Sequence, residues 1–182
     1  MKSNQLKASE YQSGMSVVFD RIESVENLCE SLMGFKKFMG IRLKGIGLMG
    51  LEKPGCGIGL VGFRAQQNLH FFRVGVGPVW EDPWNSKGGR LTISLNISIL
   101  DRIFETLILL TAGGVIEDET DYKGKITGIV GSRRSRGDRI EIWLSGNRLG
   151  ESPNEDWIKD VIGCLGREIG NEVGGIKYKK HL

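Results

Sequence analysis

The segment Pro78-Val79-Trp80-Glu81-Asp82-Pro83-Trp84-Asn85 sets an aromatic ring beside a carboxylate in a loop bounded by prolines. A tryptophan face can stack on a nucleic-acid base, and a neighbouring carboxylate can accept two hydrogen bonds from the N1–H and N2–H of guanine. The plainer reading is a loop tryptophan that anchors a turn, and residue type alone does not choose between the two. Gly88-Gly89-Arg90 then returns the chain into a strand. A second constellation lies in the alternating stretch 139–144, where Ile140, Ile142 and Leu144 share one strand face and Arg139, Glu141 and Trp143 the other. If the aliphatic face meets helices, the opposite face carries a cation and an indole open to a ligand. Its plainer counterpart is a solvated strand face with one partly covered tryptophan.

Other chemistry is thinly supported. Gly45-Ile46-Gly47-Leu48-Met49-Gly50 and Gly57-Ile58-Gly59-Leu60-Val61-Gly62 both match the dinucleotide fingerprint GxGxxG, but neither opens a convincing helix after a strand, as that chemistry requires. They read instead as a glycine-rich loop or a distorted hairpin. The two histidines, His70 and His181, join no cysteine at metal spacing, and no serine sits in a nucleophile elbow. The acidic run Glu117-Asp118-Glu119 with Asp121 reads as a solvated loop. These features point to a binding module without a metal or cofactor, not to an enzyme.

Three helices and a set of strands must hold the two constellations. The first helix begins near Ser24, a suitable N-cap, and continues through Val25, Leu28, Cys29 and Leu32. The second begins near Ser98 with Asp101 three residues on, and Gly113–Gly114 stops it. For the third, Ser152 is the expected cap, Pro153 the first helical residue and Glu155 the reciprocal partner, ahead of the apolar stripe Trp157, Ile158, Val161, Ile162, Leu165 and Ile169. Strands are expected over 15–19, 69–74, 91–95, 125–134, 139–144 and 176–179, with a hairpin turn at Ser135-Arg136-Gly137-Asp138. Strands and helices do not alternate, so an α+β fold, an antiparallel sheet with helices on one face, fits better than a doubly wound one.

A chain of 182 residues is one domain of ordinary size, here 1–182 with a glycine-rich insert at about 33–68. Its formal charge of +3 does not suit a sequence-blind polyanion binder, so nucleic-acid contact would be a local basic patch. Cys29, Cys56 and Cys164 are odd in number and widely spaced, as expected of reduced intracellular thiols. Residues 1–13 lack the apolar core of a signal peptide, and no apolar run reaches bilayer-spanning length.

Taken in order, Gly77-Pro78-Val79-Trp80-Glu81-Asp82, Lys87-Gly88-Gly89-Arg90, Leu95-Asn96, Asp101-Arg102, Glu105-Thr106-Leu107 and Arg134-Ser135-Arg136-Gly137-Asp138-Arg139-Ile140-Glu141-Ile142-Trp143 resemble the eukaryotic translation initiation factor 4E family, which binds the messenger RNA cap. The correspondence is correctly spaced from about Phe72 into the third helix, and a weaker one covers Tyr11 to Leu32. The resemblance implies a strongly curved antiparallel sheet of about six to eight strands, cupped like a hand, with three helices on its convex back. It implies that Trp80 stacks on 7-methylguanine, Glu81 pairs with its Watson–Crick edge and Trp143 lies against the N7 methyl. Arg90, Arg134 and Arg139, with Lys87, would meet the phosphates.

The family sandwiches the base between two aromatics, and Tyr11 is the candidate for the second, one residue out of register. The family's convex surface binds a helical motif of the scaffold, initiation factor 4G, and of inhibitory 4E-binding proteins. Matching positions are Val25, Cys29 (where a tryptophan is expected), Glu105 and Ile108. The resemblance thus implies a cap-binding initiation factor, with a same-fold translational repressor as the alternative. It also implies a cytoplasmic monomer, with the nucleus a second location.

Overall fold

The structure, a computed structural model, describes residues 13–18, 21–38, 66–120, 124–146, 152–170 and 175–181. Tyr11, most of the glycine-rich insert, both GxGxxG runs and Cys56 lie outside them. The described residues form five strands: β1 (Asn68–Phe72), β2 (Gly89–Leu95), β3 (Ile126–Ser132), β4 (Asp138–Leu144) and β5 (Lys177–Lys180). Four helices accompany them: α1 (Val25–Phe38), α2 (Ile97–Ala112), the short α3 (Val115–Glu119) and α4 (Glu155–Ile169). The strands make one open sheet in the order β1-β3-β4-β2-β5, with every pairing antiparallel.

Strand alternation decides what each face carries. Leu91, Ile93 and Leu95 of β2 and Ile140, Ile142 and Leu144 of β4 form one buried core with the helices. Leu28 and Leu32 come from α1, Phe104 and Leu107 from α2, and Trp157, Val161 and Leu165 from α4. Register partners share a face, so the opposite side is assembled in rows. One row runs Phe72, Gly128, Trp143, Arg90, Lys179 across all five strands. The next runs His70, Val130, Glu141, Thr92, Lys177. The sheet accepts Phe72 here because its neighbour is glycine: a Cβ on Gly128 would fall against the Phe72 ring. The β3–β4 turn closes through Gly137 at φ +111°, a backbone angle that glycine adopts freely.

Helix starts differ from expectation by a residue or two, except the first. Ser24 Oγ accepts the Asn27 amide at 3.2 Å, as an N-cap does. The second helix begins at Ile97 behind Asn96, not at Ser98. The third begins at Glu155, where Asn154 Oδ1 accepts the Trp157 amide at 2.8 Å and displaces Ser152 from the capping role. Asn is at least as good a cap as Ser, and here it stands three residues before an amide that needs an acceptor.

Three expectations are overturned. Residues 15–18 form no strand; Val17 is 85% exposed, so its β-branched character finds no sheet surface to pack on. Glu117-Asp118-Glu119 is not a loop but part of the helix α3, whose Ile116 enters the core; Asp118 and Glu119 are exposed, and Asp121 lies outside the described residues. Glu117 is buried there and pairs with Arg73 through both carboxylate oxygens at 2.7 and 2.8 Å, while its Oε1 accepts the Ile126 amide at 3.0 Å. A strand-end arginine forty-four residues away decides this burial, which no local pattern could show. Ile108 is 2% exposed within the core and so does not belong to an outer docking surface; its neighbour Leu109 is 45% exposed.

Candidate ligand-binding face

The loop from Gly77 to Gly88 is knitted by two polar side chains. Asp82 accepts the Gly77 amide at 2.8 Å and the Trp84 amide at 2.9 Å, as turn-forming aspartates do. Asn85 is fully buried, and its Nδ2 donates to Gly77 O at 2.8 Å and to Val79 O at 2.9 Å. Main-chain bonds add to this, from the Asn85 and Ser86 amides to Asp82 O and from Gly88 N to Asn85 O. The loop is then tied to the sheet, because Ser145 Oγ, one residue past β4, donates to Trp84 O at 2.8 Å. Between these ties, Trp80 is half-buried and Glu81 exposed. The tryptophan is neither sealed in the core nor free of the fold, the state a stacking surface requires.

Behind the loop lies the sheet face away from the helices. Arg139, Glu141 and Trp143 do share it, but Trp143 is only 8% exposed and is not the open plate expected from alternation. Phe72 meets it edge-on with ring centres 5.4 Å apart, and His181 lies against it at 4.6 Å. Trp143 is therefore a largely covered floor of this face. Its Nε1 donates to Glu141 Oε2 at 3.4 Å.

Glu141 is the centre of charge on this face. Its Oε1 lies 3.5 Å from Arg90 Nε and 3.2 Å from Arg139 Nε. The Arg139 Nε contact is ionic and lacks hydrogen-bond geometry. Both arginines meet this carboxylate through Nε, and the terminal nitrogens of a guanidinium are the fork that can recognise phosphate. Arg139 is the more open, with 42% of its side chain exposed against 21% for Arg90. Arg134 stands at the end of β3 and is braced, its amide to Asp138 Oδ1 at 2.9 Å and its Nη1 to Arg133 O at 2.7 Å. Lys87 is exposed at the exit of the loop.

On the helix side, Val25 is 70% exposed, Cys29 exposed and Glu105 half-buried. The residues that sequence reasoning missed are those that position others: Asn85, Ser145, Phe72, Glu141 and His181. Turn chemistry offers a signal for Asn85. Nothing near it in sequence marks His181, whose amide donates to Gly88 O at 3.0 Å and whose Nδ1 donates to Asn85 O at 2.9 Å.

Burial pushes the His70 imidazole down to about 4, with nearby Arg134 acting the same way and Glu141 opposing. Burial also lowers His181, against the Asn85 hydrogen bond. Both histidines are thus neutral when folded, whereas in the unfolded chain they take up protons near the usual pKa of about 6.5. The unfolded state binds more protons in that interval, so stability is full above about pH 6.5 and falls as pH drops toward 4. Thermal midpoints measured between pH 7.5 and 4.5 should decline, and His70→Gln should flatten the decline. Equal slopes for both proteins would refute this role for His70.

A helix-backed, open antiparallel sheet bearing an aromatic–acidic loop and an arginine-lined face defines an α+β protein of a recognisable class. The family described as Eukaryotic initiation factor 4E matches residues 59–181, more than half of the chain, and the chain belongs to that family. Among relatives, eukaryotic translation initiation factor 4E-4 of Caenorhabditis elegans is 32% identical over 114 residues, covering 63% of this chain and 50% of its own length. Human eukaryotic translation initiation factor 4E is 38% identical over 97 residues, covering 50% of this chain and 38% of its own length. The chain thus spans half or less of the length of these relatives. Among solved structures, Ascaris suum eIF4E-3 in complex with the m2,2,7G cap superposes with a TM-score of 0.58 at 25% identity, covering 68% of this chain and 67% of that one. C. elegans eIF4E-3 in complex with the 4E-binding protein Mextli shares the fold, with a TM-score of 0.57 at 21% identity, covering 67% of this chain and 68% of its own.

Proposed function

We propose that this chain binds the 7-methylguanosine cap of messenger RNA and, in the cytoplasm, recruits the initiation factor 4G scaffold to start cap-dependent translation. The observation that carries the cap reading is the braced loop in which Trp80 is half-buried and Glu81 exposed, tied through Asn85 O and Gly88 O to His181, which packs on Trp143 of the arginine-lined sheet face. Family membership and the cap-bound relative from Ascaris suum support it. Methylation at N7 makes the purine cationic, and an indole face attracts such a ring by about 2 kcal/mol when desolvated. Stacking adds about 1–3 kcal/mol, and each charge-assisted hydrogen bond to Glu81 about 1.5–3 kcal/mol. Unmethylated guanine keeps the hydrogen bonds and loses the cation–π attraction. Arg90, Arg134 and Arg139, with Lys87, serve the phosphates, and Trp143 lies against the methyl group. Tyr11 is assigned as the opposing stacker.

A second reading, a cap-holding repressor that does not recruit the scaffold, draws on the helix side. The small thiol of Cys29 stands where the resemblance implies a tryptophan anchor, and Ile108 is withdrawn into the core. Retention on immobilised 7-methyl-GTP, with elution by free cap and not by GTP, tests the cap reading; failure to be retained would refute it. Capture of the protein by a scaffold-derived helical peptide separates initiator from repressor, and absence of capture favours the repressor.

A further inference from the structure

The edge strand β5 carries charges that the cap reading does not use. Lys177 and Lys179 are exposed and, by register, lie on the same face as Trp143, with Arg90 directly across from Lys179 and Thr92 across from Lys177. Like charges set opposite one another on adjacent strands repel, so the Arg90–Lys179 pair disfavours the unliganded sheet. The nearest compensation is Glu141, which sits one strand farther in and is already shared by Arg90 and Arg139. On this face the described residues of β2, β4 and β5 set four cations, Arg90, Arg139, Lys177 and Lys179, against the single carboxylate of Glu141. That is a local excess of three, as large as the formal charge of the whole chain, +3.

The strand that presents these lysines is well held. On the core side the Tyr178 ring lies so close over Gly89 that a Cβ there would strike it. Beyond the strand, the His181 amide bonds to Gly88 O and its ring packs on Trp143. Lys177 and Lys179 therefore project from a backbone fixed to the same loop and floor as the candidate cap site. Neighbouring strands lie about 4.8 Å apart, so Lys179 stands one strand beyond Arg90 and about two beyond Trp143.

We infer that Lys177 and Lys179 form a second phosphate-binding edge, which takes the phosphodiester backbone of the transcript's first nucleotides after the cap. This rests on the cap reading and extends it from a cap nucleotide to capped RNA. Affinity for a short capped oligoribonucleotide then exceeds that for 7-methyl-GTP, by an amount that depends on salt.

The test compares 7-methyl-GTP with a capped oligoribonucleotide of about eight nucleotides, by fluorescence titration of the full chain across a salt series. For the double variant Lys177→Ala/Lys179→Ala, affinity for 7-methyl-GTP should stay within about twofold of wild type, which also shows that the fold is intact. Its affinity for the capped oligomer should fall about three- to tenfold, the range of two exposed ion pairs. Its slope of log affinity against log salt should flatten by about 1.4, at roughly 0.7 for each single-strand phosphate that the variant leaves unneutralised. Capped RNA bound no more tightly than 7-methyl-GTP by wild type, or an unchanged slope in the variant, would overturn the inference alone. Failure of wild type to bind 7-methyl-GTP would overturn the cap reading and this one with it. If the variant loses 7-methyl-GTP as well, the lysines belong to the cap's own phosphates, and the inference is wrong as stated.

Discussion

Trp80→Ala should weaken binding of 7-methyl-GTP by about 10²- to 10³-fold, the loss of a cation–π attraction together with one stacking surface, about 3–4 kcal/mol combined. The fold should survive, because the ring is half-buried at a loop tip and does not belong to the core. Trp80→Phe should fall between the two, since a phenyl ring stacks but attracts a cation less than an indole does. The diagnostic quantity is the ratio of affinities for 7-methyl-GTP and GTP. It should shrink toward one in Trp80→Ala, because the methyl-induced charge is read by the ring. In Glu81→Ala both affinities should drop while the ratio persists, because both purines present the same N1–H and N2–H. Competitive titration against a fluorescent cap analogue measures all four values. If Trp80→Ala keeps the wild-type ratio, the charged base is being recognised elsewhere.

Asn85→Ala should lower stability by about 1–3 kcal/mol and cap affinity more than tenfold, although Asn85 itself contacts no ligand in this scheme. Its amide donates to two carbonyls, Gly77 O and Val79 O, that flank the approach to Trp80. Without it Gly77 O keeps the Val79 amide and Val79 O the Asp82 amide, but two hydrogen bonds that brace the loop are lost, at about 0.5–1.5 kcal/mol each. The loop then relaxes away from the geometry that presents Trp80 and Glu81. Asn85→Asp keeps the shape but replaces the donor with an acceptor facing two carbonyls, and should be no better. Denaturant midpoints and cap titration on the same samples check both effects. Wild-type stability in Asn85→Ala would show that Asp82 and the main-chain bonds suffice to hold the loop.

The helices and the last hairpin were legible because their signals are local. The apolar stripe of α4 reports burial by period, the alternation of β4 reports which residues face the helices, and the turn around Gly137 is written in its residues. Helix starts were less so, because Ser152 and Asn154 are both competent caps and only the packed helix selects one. The Trp80–Glu81 pair and the arginines were legible by type and by resemblance. Their support was not, since Asn85 meets His181 across ninety-six residues of chain and Ser145 reaches Trp84 across sixty-one. Trp143 was placed on the correct face, yet its cover by Phe72 and His181 required the register of β1 and the return of the chain after β5.

Residue order was enough to establish an α+β chain, an indole beside a carboxylate, and guanidinium groups on the strand face that helices do not cover. Those properties depend on neighbours within one turn or one strand. Packing settled which of them are exposed. It sank Trp143 and Ile108, lifted Glu117 out of solvent into a pair with Arg73, and aligned Lys179 with Arg90. Each of those outcomes comes from contacts between segments distant in sequence, where alternation and spacing carry no information.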